Sequence, residues 1–185
     1  LRRSSEAIRR AGDQLLMLQR YTAAAREELL VDELDLAEVV EDVRLGVDLG
    51  DTRVEVADDL PVLVGDRRAV ERVLHELLDN VARHAGDDGP PTARISATDE
   101  GDAVVLVVDD DGPGIAPDQR RLALSEGERL GRTGDGFGLG LAIVRIVVAR
   151  HGGAVELGDA PDGGLRVTTR WPDDPPLLGE EGDQG

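Results

Sequence analysis

The chain's 185 residues have room for one good hydrophobic core, and a composition of 40% apolar and 32% charged residues suits a soluble globular protein. There is no cysteine, which excludes disulfides, thiol nucleophiles and cysteine-based zinc sites. All 21 basic residues are Arg and the net charge is −18; this argues against a nucleic-acid partner and obliges any polyanionic ligand to be held by metal, backbone N–H groups and a few well-aimed arginines.

Leu1 rather than Met opens the sequence, so a piece of a longer protein is expected, with any membrane segment upstream. No secretory signal is visible, and no apolar run approaches the ~20 residues of a membrane span. Residues 1–30 are expected to form one helix, because Ile8, Ala11, Leu15 and Leu18 recur three or four apart and Ala25 and Leu29 resume the series after Thr22. At ~45 Å and with a narrow apolar stripe, such a helix needs a second helix or a second chain to pack on.

Residues 36–47 predict a short amphipathic helix, followed by strands at 52–56 and 61–64 around the acidic turn Ala57-Asp58-Asp59. Asp66 suits an N-cap for a long helix to about Ala85, with the stripe Val70, Val73, Leu74, Leu77, Leu78 and Val81. Strands are expected at 92–98 and 103–108, the second apolar throughout and so central. A short helix from Pro117, a glycine-studded loop over 125–136 and a helix over 139–151 closed by Gly152-Gly153 follow. Strands at 154–157 and 165–171 complete the pattern, and the Pro, Gly and acid of residues 173–185 predict a disordered tail. Several strand pairs are joined too tightly for parallel crossovers, so the fold class expected is α+β: a mixed, mostly antiparallel sheet with helices on one face.

Three motifs carry possible chemistry. Glu76 and Asn80 share a face of the long helix, with Arg83 and His84 beside Asn80; a carboxylate and an amide oxygen are suitable ligands for Mg²⁺, although a solvated polar face would look the same. Asp110-Asp-Gly-Pro-Gly114 follows the central strand, where Asp110 can accept a hydrogen bond from an exocyclic amine and Gly112 and Gly114 let backbone approach a ligand; an ordinary tight turn has the same composition. Gly134-Asp-Gly-Phe-Gly-Leu-Gly140 opens a helix, and glycines at 136, 138 and 140 expose N–H groups where the helix dipole favours phosphate. No Gly-Lys-Ser/Thr follows, so it is not a Walker loop.

Together, spaced 30 residues from Asn80 to Asp110 and 26 from Asp110 to Gly136, the motifs resemble the Asn box and two Gly boxes of the GHKL superfamily. Within it, Glu76-Leu-Leu-Asp-Asn80 and Gly138-Leu-Gly-Leu-Ala-Ile-Val144 look like sensor histidine kinases, and the run Ala11 to Arg20 is similar to the second helix of their dimerisation domain. The resemblance covers roughly residues 1–172. It implies a Bergerat-type sandwich at 31–172, a partial dimerisation domain at 1–30, ATP and Mg²⁺ as ligands, and phosphoryl transfer to a histidine. By the same resemblance, Asn80 and Glu76 would be catalytic; Asn80 would coordinate Mg²⁺, and Glu76, standing where many members have Asn and some an acid, would help hold Mg²⁺ or polarise the attacking imidazole. Arg83, with His84 on the same helix edge, would approach the phosphates, Asp110 the adenine amine and Ile115 the ring. Gly112 and Gly114 would shape the purine pocket, while Gly136, Gly138, Leu139 and Gly140 would wrap the phosphates. Arg129, in Glu126-Gly-Glu-Arg129, would touch the γ-phosphate.

Two departures qualify the resemblance. The Phe-containing box before the loop is replaced by Ala123-Leu-Ser-Glu, and no histidine precedes His75, so the acceptor is expected upstream of Leu1. The partners implied are a response regulator receiver domain, the parent's own histidine-bearing helix and a second copy in a full-length homodimer. No nucleic acid and no membrane contact by these residues are expected, and the location implied is the cytoplasm, under a parent open to anchoring in the inner membrane. The alternatives are an ATP-sensing module without catalysis and a GHKL ATPase that hydrolyses ATP with Glu76 as base.

Overall fold

The computed structural model describes residues 29–85, 89–124 and 140–176. Residues 1–28 of the helix expected over 1–30, Arg129, Gly136, Gly138, Leu139 and residues 177–185 of the expected tail lie outside these residues; Leu29 and Leu30, at the end of the expected helix, are not helical. Among the described residues the order is β1 (Val31–Asp35), α1 (Leu36–Gly46), β2 (Arg53–Val56), β3 (Val62–Asp66), α2 (Arg67–His84), β4 (Thr92–Asp99), β5 (Ala103–Asp110), α3 (Pro117–Ala123), α4 (Gly140–Arg150), β6 (Ala154–Asp159) and β7 (Leu165–Pro172).

Five strands form one mixed sheet in the order β2-β4-β5-β7-β6, parallel only between β2 and β4. Alternation sets its two faces: Leu165, Val167, Thr169 and Trp171 of β7 are buried, as are their cross-strand partners Val104, Leu106 and Val108 of β5. Val105, Val107, Arg166 and Arg170 point to the other, partly solvated face. There charge is laced across the strands, as in the Arg166–Asp109 pair at 2.7 Å and the Arg170–Asp102 pair at 2.7 Å. The fold is the α+β arrangement expected, with α2 and α4 packed on the buried face and on each other.

α2 forms because its six stripe residues all reach the core. Its N-cap is Asp66, whose Oδ1 accepts from Arg68 N at 2.9 Å and Ala69 N at 3.2 Å, a cap contributing about 1 kcal/mol. β1 was not expected from the sequence. Its run Val31-Asp-Glu-Leu-Asp35 has three acids and one buried residue, Leu34; it becomes a strand only by pairing antiparallel with β3. Nor do β2 and β3 pair with each other: the acidic turn between them divides them between two sheets, β2 at the edge of the larger and β3 in a two-stranded one. α4 ends as expected, at Gly152 with φ +74°.

Candidate nucleotide site

Asp110 is the last residue of β5 and 8% exposed. Its Oδ1 accepts from Gly112 N at 2.8 Å and from Leu165 N at 2.9 Å, the second reaching across from the start of β7. Among the described residues no hydrogen bond reaches its Oδ2, which leaves one carboxylate oxygen for an outside donor. Burial pushes the Asp110 carboxyl above the usual carboxylate range; the two backbone N–H groups oppose the shift, and Asp111 and Asp109 add to it.

The turn after Asp110 is held from both sides. Gly114, at φ +67°, lies against the Gly164 carbonyl, while a Cβ on Gly112 would come within 3.1 Å of Ala85 Cα at the end of α2. Gly164 itself, at φ +93°, sits so close that a Cβ there would lie 2.0 Å from the Asp110 carbonyl oxygen. Ile115 is half-buried against the core, and its carbonyl accepts from Arg120 Nε at 2.9 Å. The turn Asp162-Gly163-Gly164 carries only a generic turn signal in the sequence, and 55 residues separate Leu165 from the carboxylate it meets.

Glu76 and Asn80 lie on α2, before the Ala85 that the Asp110 turn packs against. Glu76 is not on a solvated face: it is 7% exposed, and its Oε2 lies 3.3 Å from where a Cβ on Gly140 would be, against the first residue of α4. Asn80 is half-buried. Both oxygens are of the kind that Mg²⁺ takes, and Mg²⁺ needs only one or two protein ligands beside phosphate and water. This donor set therefore fits the metal, and the open Oδ2 of Asp110 fits an amine-bearing base. Of the remaining sequence-predicted residues, Arg83 is exposed and donates from Nε to Asp79 Oδ1 at 2.9 Å, and His84 is exposed. Gly140 opens α4 beside Glu76; its neighbours Gly136, Gly138 and Leu139, and Arg129, lie outside the described residues. His151 is 1% exposed, with Nε2 accepting from Asp66 N–H at 3.2 Å and Nδ1 bonded to Val147 O at 2.9 Å, so it is closed to any acceptor role.

A cavity of about 420 Å³ opens between α1 and α2, lined by Val43, Val47, Arg68, Arg72, His75 and Glu76 among others. It reaches Glu76 but neither Asn80 nor Asp110, so it adjoins the site without containing the Asp110 end.

Comparison with known proteins fits this geometry. Residues 65–175 match the family model described as histidine kinase-, DNA gyrase B-, and HSP90-like ATPase. The sensor histidine kinase GtrS of Pseudomonas aeruginosa is 41% identical over 155 residues, covering 77% of this chain and 31% of that protein. The sensor protein RstB of Escherichia coli K12 is 33% identical over 182 residues, covering 91% of this chain and 41% of RstB. The chain thus spans well under half the length of these curated relatives. Among solved structures, the mycobacterial sensor histidine kinase MprB superposes with a TM-score of 0.67 at 29% identity, over 78% of this chain and all of that one. Full-length ShkA, solved with AMPPNP, gives a TM-score of 0.67 at 28% identity, over 95% of this chain and 39% of ShkA. On the family match and on the carboxylate, amide and glycine positions that the fold gathers along α2, β5 and α4, this chain belongs to the histidine kinase-, DNA gyrase B- and HSP90-like ATPase family, on its sensor histidine kinase branch.

Proposed function

We propose that this chain binds ATP together with Mg²⁺ and presents the γ-phosphoryl group to a histidine outside residues 1–185, as the catalytic part of a two-component sensor kinase. The observation that carries the reading is the state of Asp110: a buried carboxylate with one oxygen saturated by backbone and the other without a partner among the described residues. That open oxygen suits the adenine amino group, and Ile115 supplies an apolar wall. From there the phosphates would run along α2 toward Asn80, Glu76 and the start of α4. Mg²⁺ held by Asn80 and Glu76 would neutralise charge developing on the γ-phosphoryl group. Asn80 and Glu76 fix the geometry of the transfer, in which an N–P bond to the imidazole forms as the bond from phosphorus to the ADP oxygen breaks. Gly136, Gly138, Leu139, Gly140 and Arg129 would close around the phosphates, with His84 and, on leaving Asp79, Arg83 turning inward from the surface. The onward partner is a response regulator receiver domain, and the full-length protein acts as a homodimer with its catalytic part in the cytoplasm.

The test is ATP titration of the 185-residue chain with and without Mg²⁺. Asp110→Asn turns an acceptor into a donor facing a donor, and should weaken binding by at least about tenfold, as expected for a hydrogen bond to a charged group. Asn80→Ala should remove the response to Mg²⁺ while Mg²⁺-free binding persists. Binding that is indifferent to Asp110→Asn would sink the reading.

The buried position of Glu76 also favours a second reading, ATP hydrolysis with Glu76 as base for water. Steady ATP turnover without any histidine acceptor, lost on Glu76→Gln, would favour it over phosphotransfer.

A further inference from the structure

Ile115, the apolar wall of the proposed purine end, stands on a segment that the sheet does not hold. β5 ends at Asp110, and α3 does not begin until Pro117. Between them Gly112 N–H goes to the Asp110 side chain, and among the described residues no backbone N–H meets the Ile115 carbonyl. The donor that does meet it is a side chain, Arg120 Nε at 2.9 Å. The same guanidinium donates from Nη2 to Asp159 Oδ1, at the end of β6. The Arg120 side chain is 18% exposed against 77% for Asp159, whereas the neighbouring Arg121 lies in solvent. Two acceptors from separate elements thus converge on one planar fork, an arrangement that a guanidinium suits and a single ammonium does not.

α3 gives Arg120 its reach. The helix has seven residues and no side-chain N-cap, too little to be stable alone. Buried Ala123 seats its far end in the core. From mid-helix, Arg120 spans from the turn after Asp110 to the start of the β6–β7 connection, whose Gly164 carbonyl also lies against Gly114. We infer that Arg120 is a positioning residue for the purine end, tying the Ile115 backbone to the end of β6 and so fixing the apolar wall beside Asp110. The inference rests on the proposed ATP site. Arg120 acts through Ile115, without meeting the nucleotide; when it is lost, the half-buried Ile115 carbonyl loses its donor and the wall is no longer held at one place.

The test is titration of the full 185-residue chain with ATP and with ADP, each with Mg²⁺ and with chelator, and melting temperature beside it. R120M keeps the apolar stem and removes both hydrogen bonds. It should weaken ATP and ADP by the same factor, about fivefold for one positioning bond, with the Mg²⁺ response unchanged. In the I115A background the same change should cost less than about twofold, because no wall is left to place. A lower melting temperature with wild-type affinity would make Arg120 a structural residue only and overturn the inference. So would a loss of equal size in the I115A background, or a loss confined to ATP with Mg²⁺, which would put the effect at the phosphates. Asp110→Asn in the same titrations separates two failures. If it weakens binding and R120M does not, the inference alone falls; if neither weakens binding, the purine site falls and the inference with it. Should R120M not fold, R120K, whose one ammonium cannot serve both acceptors, carries the same comparison.

Discussion

Gly164 decides more about the site than its place in a β6–β7 turn suggests. With a Cβ, it would collide with the Asp110 carbonyl carbon at 2.6 Å and with the Asp110 Oδ1 at 2.7 Å, besides the 2.0 Å approach to the carbonyl oxygen. Its neighbour Gly163 has nearly the same φ, +92°, but open space where its Cβ would be. The two substitutions to Ala therefore separate backbone strain from collision. Both should lower stability by roughly 1–2 kcal/mol through the unfavourable φ. Only Gly164→Ala should also displace Asp110 and weaken ATP binding, by about tenfold or more if a charge-assisted hydrogen bond is lost. Equal ATP affinities for the two variants, read in the same titration, would mean that Asp110 tolerates the shift. The sequence displayed Asp110 as a candidate because Asp-Asp-Gly-Pro-Gly after an apolar strand is a local pattern. It hid Gly164 because the contact spans more than fifty residues.

At the scale of elements, the N-terminus of α2 and the C-terminus of α4 are tied through Asp66 and His151. Asp66 caps α2, accepts from Leu30 N through Oδ2 at 2.7 Å and donates its own N–H to His151 Nε2, while His151 bonds Val147 O and packs edge-on to Trp171. Nε2 can accept that bond only in the neutral ring. Burial holds the His151 pKa below its usual value, with Arg150 acting the same way and the Val147 carbonyl and Asp66 opposing. A histidine with a lowered folded pKa contributes its full stability above the unfolded value of about 6.5, and loses it as pH falls below that value toward the folded one. Chemical denaturation between pH 7.5 and 5 should therefore show wild-type stability falling faster than that of His151→Gln, which cannot titrate. Parallel slopes would mean that His151 charges without cost. The cap itself was legible, since Asp66 precedes a helical apolar stripe. The histidine bridge was not, because it joins residues 85 positions apart.

Over the whole molecule, a net charge of −18 acts on every ligand and on the fold. The ion pairs across the open face of the sheet offset part of it locally, as at Arg166–Asp109 and Arg94–Glu55, where the partners are 2.7 and 3.1 Å apart. Paired charges at such distances are little affected by salt, whereas the surplus acid repels itself over the ~30 Å Debye length of dilute buffer and much less over the ~8 Å of physiological salt. Raising NaCl from about 0.01 M to 0.15 M should stabilise the chain on the order of 1 kcal/mol, a rise in melting temperature of about 2–4 °C. A fall in melting temperature over that range would mean that surface pairs outweigh the net repulsion. The same surplus would oblige the proposed ATP site to rely on few cations and on backbone donors.

By itself the sequence determined α1, α2, α4 and the buried strands, because periods of 3.6 and 2 in Leu, Val and Ile decide which face can leave water. It also marked Glu76, Asn80, Asp110 and Gly140 as candidate chemical positions, through motifs whose information lies within a few residues of each other. It did not determine β1, an acidic run that pairs only because β3 lies beside it, or the division of β2 and β3 between two sheets. Only tertiary structure turned Glu76 from a residue on a polar helix edge into a buried one, by packing α4 on α2. Only tertiary structure, too, brought Leu165 N to Asp110, leaving that carboxylate with one oxygen that has no partner among the described residues. Local patterns fix what each segment prefers, but the environment of a polar group is set by which distant segments share its side of the core.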